Sequence, residues 1–288
     1  MGNRKAIVTL AIGEKYLNEW KRVCAANWQK YADKHGYDII CIDKPLDDSK
    51  RAQGRSPAWQ KCLILSQDYA ARYERIVWLD SDILINHQTA PCIAAGVPPE
   101  KVGAVSAYWL SAPEVTRLVI DRMYKYWNLM AQDREYTVCD YYQNGGLPVE
   151  FDWVVRTGVL VLSPAHHRHL FEKVYYEYER TDINKDGEMP CLSYELLKAD
   201  CVQWIDPRFD PVWLILKAYH YPFLLQPRIF FKAEGSALSA RIKRKLTARL
   251  DNYIRRFITK RCASTAFANN YFLHFQRDAA EMLLIDDA

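Results

Sequence analysis

The chain has 288 residues, and half of them are hydrophobic, so it is long enough for one large domain or two small ones with a sizeable core. The formal net charge of +4 is too mild to indicate a nucleic-acid partner by itself. No apolar run reaches membrane-spanning length, and the run before Glu14 is too short for a signal peptide, so we expect a cytoplasmic protein.

The predicted elements alternate between strand and helix along the first third of the chain. Runs of β-formers are separated by segments whose apolar residues recur every three or four positions. This alternation predicts an α/β fold with a mostly parallel sheet flanked by helices. In chain order the elements are strand KAIVTLAIG, helix EKYLNEWKRVCAANWQKYADKHG, strand YDIICID, helix AWQKCLILSQDYAARY and strand RIVWLDSDILI.

The same alternation continues to about residue 215, with no internal repeat. Loops are predicted where polar residues and glycines accumulate. The elements are strand GAVSAYW, helix SAPEVTRLVIDRMYKYWNLMAQDREY, loop TVCDYYQNGGLPVEFDWV, strand RTGVLVLSP, helix AHHRHLFEKVYYEYERT, loop DINKDGEMP and helix CLSYELLKAD.

The composition changes near Ser236, which divides the chain into a predicted α/β domain, 1–235, and an extension, 236–288. The extension begins with a basic amphipathic helix, whose apolar residues recur at helical spacing. Such a helix either packs on the preceding domain or makes peripheral contact with a membrane. The apolar residues of this helix are Leu238, Ile242, Leu246, Leu250, Tyr253 and Phe257.

Eight cysteines are spread along the chain, none of them in a CxxC pair and none beside histidines at metal-ligand spacing. Their density is below that of disulfide-stabilised secreted domains. Free thiols in a reducing compartment are therefore expected.

Two aspartates, Asp80 and Asp82, interrupt the apolar strand RIVWLDSDILI. Unpaired carboxylates are costly in such a strand, and two close together repel each other, so a positive partner is required. A hard divalent cation, Mn²⁺ or Mg²⁺, meets this need and commonly also binds a diphosphate. The alternative is a solvated turn that simply ends the strand.

The stretch WLDSDILI resembles the metal-binding DxD strand of nucleotide-sugar glycosyltransferases with the Rossmann-like GT-A fold. It is most similar to the retaining galactosyl- and xylosyltransferase group related to yeast Golgi mannan enzymes, and glycogenin-like enzymes are more distant. The resemblance covers residues 5–215 in patches and is most specific within 58–85, where a Trp-x-Lys helix leads into the aspartate strand.

The resemblance implies a nucleotide site built on the first and third strands. The base would contact the backbone of Thr9, Ala11 and Ile12, and Tyr16 would stack on uracil, unless Tyr16 is instead a core residue of the first helix. Asp80 and Ser81 would contact the nucleotide, and Asp80 and Asp82 would bind the metal. The implied contacts lie at Thr9, Ala11, Ile12, Tyr16, Asp80, Ser81 and Asp82.

Two catalytic residues are implied by the same resemblance. Lys61 would reach the diphosphate or the donor sugar and stabilise the leaving group, unless it is a solvated helix lysine. Glu188, in GEMPCL, would orient the donor sugar or stabilise the transition state, although Met189 stands where the family has Gln. Glu188 also suits the N-cap of a helix that starts at Pro190.

Acceptor and metal contacts complete the implied site. Arg156, Thr157 and Gly158 match the family's strand along the donor and acceptor, but Arg156-Thr157 replaces its Asn, so Arg156 binds an acidic group or forms a structural salt bridge. His274, in YFLHFQRD, matches a C-terminal third metal ligand, and its alternative is a satisfied core histidine.

The predicted function is therefore metal-dependent transfer of a sugar, with retention, from a UDP-sugar to a saccharide acceptor. A non-catalytic sugar-nucleotide-binding relative is one alternative. A nucleotidyltransferase is a weaker one, because that chemistry needs a glycine-rich loop after the first strand and AIGEKY contains one glycine.

Overall fold

The computed structural model describes residues 4–107, 112–127, 135–179, 187–226 and 238–285. These residues form eight strands, nine α-helices and several short 3₁₀ helices. The strands are β1 (Lys5–Leu10), β2 (Tyr37–Ile42), β3 (Arg75–Leu79), β4 (Ile83–Ile85), β5 (Val102–Ser106), β6 (Val155–Leu162), β7 (Val202–Trp204) and β8 (Phe272–His274). The helices are α1 (Glu14–Val23), α2 (Ala25–His35), α3 (Lys50–Gln53), α4 (Pro113–Trp127), α5 (Val138–Asn144), α6 (Pro164–Glu177), α7 (Met189–Lys198), α8 (Trp213–His220) and α9 (Leu238–Ala268). The 3₁₀ helices are Pro57–Ser66, Ala70–Arg72, Pro207–Phe209, Pro222–Leu225 and Gln276–Leu284.

The central sheet has six strands in the order β2-β1-β3-β6-β5-β7. β6 runs antiparallel to both of its neighbours, and the other pairings are parallel. Five strands therefore point the same way, and their carboxyl ends share one edge. The predicted α/β class with a mostly parallel sheet is confirmed.

Both faces of the sheet are buried, which explains why its strands read as continuous apolar runs. Val77 and Leu79 of β3 belong to one core layer, with α1, α2 and the C-terminal segment. Ile76 and Trp78 belong to the other, with α6, α7 and the 3₁₀ helix Pro57–Ser66. The two aspartates therefore directly follow a strand whose two faces are both packed against the core.

The predicted third strand is divided by its aspartates. β3 ends at Leu79, and β4 resumes at Ile83 in a separate two-stranded sheet with β8. The amide of Asn27 pairs with the backbone N–H and C=O of Ile85, both at 2.8 Å, in place of a second strand. The β4–β8 pairing places His274 opposite Ile83, beside the turn at 80–82.

Three predicted elements differ from the structure. The α-helix predicted over AWQKCLILSQDYAARY is instead two 3₁₀ helices, Pro57–Ser66 and Ala70–Arg72, and the residues from Trp59 to Leu65 are all buried. The segment predicted as a loop contains α5, which a capping box between Thr137 and Asp140 starts. The first long helix is two helices that meet at Cys24.

Some predictions fall outside the described residues. These are the end of strand GAVSAYW, the second part of the helix after it, most of loop DINKDGEMP and the domain boundary at 235–236. All eight cysteines are described and free, as predicted.

Candidate active site

Asp80 and Asp82 lie in the turn between β3 and β4, at the carboxyl edge of the central sheet. The backbone N–H of Asp80 donates to the carbonyl of Gly158 at 2.9 Å, and the backbone N–H of Phe275 donates to the carbonyl of Asp82 at 3.0 Å. The indole N–H of Trp78 donates to Asp80 Oδ1 at 2.9 Å. The turn is therefore held by three segments, and both carboxylates stay partly accessible.

Lys61 is a buried cation behind Asp80. Its Nζ lies 3.3 Å from Asp80 Oδ1 and 2.7 Å from Glu188 Oε1, and it donates to the carbonyl of Thr157 at 2.8 Å. Burial lowers the pKa of Lys61, but Asp80 and Glu188 outweigh burial and raise it overall. The alternative of a solvated helix lysine is therefore wrong, since only 4% of the side chain is exposed.

Glu188 occupies the N-cap position of α7, as predicted, and Pro190 lies in the first turn of the helix. Its side chain makes no capping hydrogen bond to that turn. Its Oε1 instead accepts hydrogen bonds from Lys61 and, at 2.9 Å, from the Thr157 hydroxyl. Glu188 and Thr157 are both buried, and neither lines the cavity described below.

His274 lies between the aspartate turn and a buried ion pair. Its Nε2 lies 3.3 Å from Asp82 Oδ1 and 3.6 Å from Asp80 Oδ2, and its Nδ1 lies 2.9 Å from Asp210 Oδ1. Burial lowers the pKa of His274, but Asp82 and Asp210 outweigh it and raise the pKa to about 10. Asp82 and Asp210 therefore favour the protonated form of the His274 ring.

Arg156 lies on the far side of Asp210. Its Nε donates to Asp210 Oδ2 at 2.9 Å, and both side chains are buried. Burial raises the pKa of Asp210, but Arg156 and His274 outweigh burial and lower it. The structure thus supports the salt-bridge interpretation of Arg156 and gives its side chain no contact with the cavity described below.

Gly158 provides the space that His274 occupies. A Cβ on Gly158 would lie 2.6 Å from His274 Cε1 and 2.8 Å from His274 Nδ1, both too close for van der Waals contact. Within the predicted acceptor strand, Gly158 therefore packs directly against the His274 ring.

We expect Gly158→Ala to lower the free energy of unfolding by about 1–3 kcal/mol, because the new methyl group must displace the buried His274 ring. Urea denaturation measures the change. Gly54→Ala is the matched control, since a Cβ there meets its nearest atom at 3.7 Å, and its effect should stay within about 0.5 kcal/mol. Equal stability of both variants would show that His274 is free to move.

A cavity of about 490 Å³ opens in front of the aspartates. Ile12, Ser81 and Tyr16 are among the predicted nucleotide contacts that line it, and 56% of Tyr16 is exposed, so Tyr16 is not a core residue. Thr9 and Ala11, also predicted to contact the nucleotide, are fully buried and do not line the cavity. The lining residues are Leu10, Ile12, Tyr16, Ser56, Pro57, Ala58, Lys61, Trp78, Asp80, Ser81, Asp82, His274 and Gln276.

The donor chemistry of the site suits a hard divalent cation. Across the described ranges, no three His, Cys, Asp or Glu side chains form a group arranged to hold a metal ion. Lys61 lies 3.3 Å from Asp80, and His274 lies 3.3 Å from Asp82. However, carboxylate oxygens are the ligands that Mg²⁺ and Mn²⁺ prefer. The contact between His274 Nδ1 and Asp210 also orients Nε2 towards Asp82, as in carboxylate–histidine–metal arrangements.

Sequence reasoning missed several residues of the site. Asp210 joins Arg156 to His274, and its only signal was its place before a proline in the loop RFDPVW. Gln276 lines the cavity with a φ of 48°, which no pattern indicated. In the sequence Trp78 has the pattern of a β-former only, and nothing local indicates that its indole N–H donates to Asp80.

Comparison with solved structures identifies the fold. A glycosyltransferase involved in the glycosylation of the major capsid of PBCV-1 matches with a TM-score of 0.51 and 14% identity, over 97% of this chain and 100% of that chain. The galactosyltransferase LgtC, solved in complex with donor and acceptor sugar analogs, matches with a TM-score of 0.47 and 11% identity, over 98% and 97% of the two chains. No protein-family model and no curated protein sequence matches. The chain thus has a GT-A-type glycosyltransferase fold, as the resemblance of its DxD strand implied.

Proposed function

We propose that this chain is a glycosyltransferase that moves a sugar from a nucleotide-sugar donor to a saccharide acceptor. The observation that carries the proposal is the placement of Asp80 and Asp82 on the wall of one cavity, at the carboxyl edge of the sheet. Ligands bind at this edge in open α/β sheets. The exposed ring of Tyr16 lines the same cavity and offers an aromatic face to a base.

A divalent ion, Mn²⁺ or Mg²⁺, would be held by Asp80, Asp82 and His274 together with the donor. When bound, it would neutralise the negative charge that develops on the leaving diphosphate. Hydrogen bonds within the chain would orient these ligands. The Trp78 indole N–H holds the Asp80 carboxylate, and the Asp210 carboxylate holds the His274 ring.

Lys61 would complete the electrostatic stabilisation of the leaving group. It lines the cavity, and Glu188 and Thr157 hold its ammonium beside Asp80. A cation fixed in advance needs no reorganisation as negative charge develops on the phosphates.

Two finer points rest on the family resemblance of the sequence. A UDP-linked donor is favoured because Tyr16 matches the family position that stacks on uracil. Transfer with retention is proposed from the same resemblance, and the buried carboxylate of Glu188 would act through Lys61 rather than as a nucleophile.

A donor screen tests the function. The purified chain is incubated with Mn²⁺ and a series of UDP- and GDP-sugars, and the released nucleotide is measured beside the thermal shift. Release of a free nucleoside diphosphate supports the proposal. Pyrophosphate release would indicate a nucleotidyltransferase, and a thermal shift without turnover would indicate a non-catalytic binding protein.

The helix α9 supports a further proposal, peripheral contact with an anionic membrane. No helix within the described ranges is long and apolar enough to cross a membrane. Leu250, Tyr253 and Phe257 nevertheless project into solvent on one side of α9, whereas the buried Asp251 and Thr259 lie on its other side. An exposed apolar stripe on a basic helix suits the boundary between lipid headgroups and acyl chains.

We expect the chain to bind vesicles that contain phosphatidylglycerol and not vesicles of phosphatidylcholine alone. Replacing Leu250, Tyr253 and Phe257 together by Ser should weaken binding on the order of 10-fold or more, because the inserted apolar area is lost. Co-sedimentation measures this, with Tyr219→Ser on α8 as the exposed aromatic control. Equal binding by both variants would contradict a role for the α9 stripe.

A further inference from the structure

Lys217, on α8, is a buried cation away from the aspartate turn. Only 1% of the residue is exposed, and its Nζ lies 2.7 Å from Asp278 Oδ2 and 3.2 Å from Glu281 Oε2. Both carboxylates belong to the 3₁₀ helix Gln276–Leu284. None of the three side chains lines the cavity, so none has a direct part in the proposed chemistry. Removal of one partner would leave an uncompensated charge in a buried place, so the contact ties the 3₁₀ helix to α8.

Aromatic side chains from two helices complete this contact. The indole N–H of Trp213 donates to Glu281 Oε2 at 2.5 Å, and the hydroxyl of Tyr126, on α4, donates to Asp278 Oδ1 at 3.3 Å. The Nζ of Lys217 lies 5.6 Å from the centre of the Trp213 ring and 5.2 Å from that of the Tyr126 ring, within the range of cation–π attraction. Each carboxylate thus has a second donor besides Lys217.

The residues just before α8 hold the strand that carries His274. The backbone N–H of His274 donates to the carbonyl of Pro211 at 3.0 Å. The carboxylate of Asp210 contacts the His274 ring at 2.9 Å. One continuous stretch of chain, 210–217, therefore binds residues 274–281 at both ends.

Gln276 lies between these two sets of contacts and lines the cavity. Its φ of 48° is in the left-handed region, which is uncommon for a residue other than glycine. Such a backbone persists where neighbouring contacts impose it. On one side the N–H of Phe275 donates to the carbonyl of Asp82, and on the other side Asp278 binds Lys217. Lys217 thus contributes one of the two contacts that hold Gln276 in this conformation at the cavity.

We propose that Lys217 is a positioning residue of the donor site, which binds Asp278 and Glu281 and thereby keeps His274 and Gln276 in place at the cavity. The inference rests on the proposed glycosyltransferase function, because the ligand that this placement serves is a nucleoside diphosphate with its divalent ion. The competing interpretation is an ion pair that stabilises the whole fold and has no particular effect on the site. The two interpretations differ in which part of the chain loosens when the ion pair is removed.

Hydrogen exchange of the chain without ligand, followed by mass spectrometry, tests the anchoring directly. We expect Lys217→Met to increase the exchange rate of the backbone amides in residues 272–284 at least about 10-fold, while β1 and β3 exchange as in wild type. An unchanged rate in residues 272–284, or an equal increase throughout the chain, would overturn the proposal.

Lys173→Met is the matched control for general loss of stability. Lys173, on α6, also lies 2.7 Å from a carboxylate, that of Glu195 on α7. These helices pack on the face of the central sheet opposite to the C-terminal segment. Residues 272–284 should therefore exchange in Lys173→Met as they do in wild type, and the same increase as in Lys217→Met would favour the competing interpretation.

Asp278→Asn keeps the test usable if Lys217→Met folds poorly. It removes the shorter contact, and Lys217 remains paired with Glu281, so no buried lysine is left alone. Exchange should rise in the same residues, 272–284. The double variant Lys217→Met/Asp278→Asn should show no larger increase than Lys217→Met, because both substitutions remove one contact. Additive increases would show that the two residues act independently and would overturn the proposal.

Binding of UDP with Mn²⁺, measured by isothermal titration calorimetry, connects the anchoring to the site. We expect Lys217→Met and Asp278→Asn to bind at least about 10-fold more weakly than wild type, as is typical when residues that orient metal ligands are lost. Lys173→Met should bind as wild type does. Equal affinity in all four proteins would overturn the positioning role. If wild type binds no UDP with Mn²⁺ while the exchange results are as expected, the proposed function fails and the anchoring by Lys217 stands.

Discussion

Asp82→Asn is expected to reduce donor turnover on the order of 10³-fold and to abolish its dependence on added Mn²⁺. Asparagine keeps the shape of the side chain and one oxygen, but it removes the negative charge that a divalent ion requires. The backbone carbonyl of Asp82, which accepts from Phe275, is unchanged, so the turn between β3 and β4 should keep its conformation.

The stability of Asp82→Asn separates a functional carboxylate from a structural one. Because Asp80 and Asp82 both lie against His274, removing one charge loses an attraction to His274 and relieves a repulsion from Asp80. We therefore expect the free energy of unfolding to change by no more than about 1 kcal/mol.

Two quantities are measured. One is the rate of nucleotide release from a donor identified in the screen, and the other is the change in melting temperature that UDP and Mn²⁺ produce. Asp68→Asn, an exposed aspartate before the 3₁₀ helix Ala70–Arg72, is the matched control and should behave as wild type. Turnover of Asp82→Asn within 10-fold of wild type, with an unchanged response to Mn²⁺, would refute the role of this carboxylate in metal binding.

The sequence could predict the central sheet and the aspartate turn because both depend on local patterns. Four β-formers precede Asp80, and three apolar residues follow Asp82, so a strand interrupted by acids was visible without any long-range information. Both core layers bury the residues of β3, and the pattern of this strand is correspondingly clear.

The partners of the aspartates depend on contacts between residues far apart in the sequence. His274 reaches Asp82 only because β8 pairs with β4, and no local pattern specifies a pairing between short strands so distant in sequence. Glu188 and Lys61 illustrate the same limit. Each has a plausible local role, as a helix cap or a surface lysine, and only the tertiary structure shows that they bind each other.

The charges of the site alternate along one continuous network. Arg156 contacts Asp210, Asp210 contacts His274, and His274 contacts both aspartates of the turn. Lys61 then joins Asp80 to Glu188 at the other end. Four carboxylates thus face three cationic side chains, so the network keeps an excess of negative charge beside the cavity, where a metal ion would be attracted.

Lys61→Met is expected to lower the free energy of unfolding by about 3–5 kcal/mol. Methionine fills the space of the lysine stem and packs in the same apolar surroundings, so little is lost in volume. The loss comes from Glu188, which is buried and keeps only the Thr157 hydroxyl as a hydrogen-bond partner from this network. Urea denaturation measures the change, and a loss below about 1 kcal/mol would contradict it.

The double variant Lys61→Met/Glu188→Gln separates the energy of the ion pair from the cost of leaving a carboxylate alone. Glutamine retains an acceptor for Thr157 without a charge, so the double variant should be about 1–3 kcal/mol more stable than Lys61→Met. Donor turnover should nevertheless remain low in the double variant, because the cation beside Asp80 is still absent. If turnover recovers with stability, Lys61 serves folding alone, and its assignment to the leaving group is wrong.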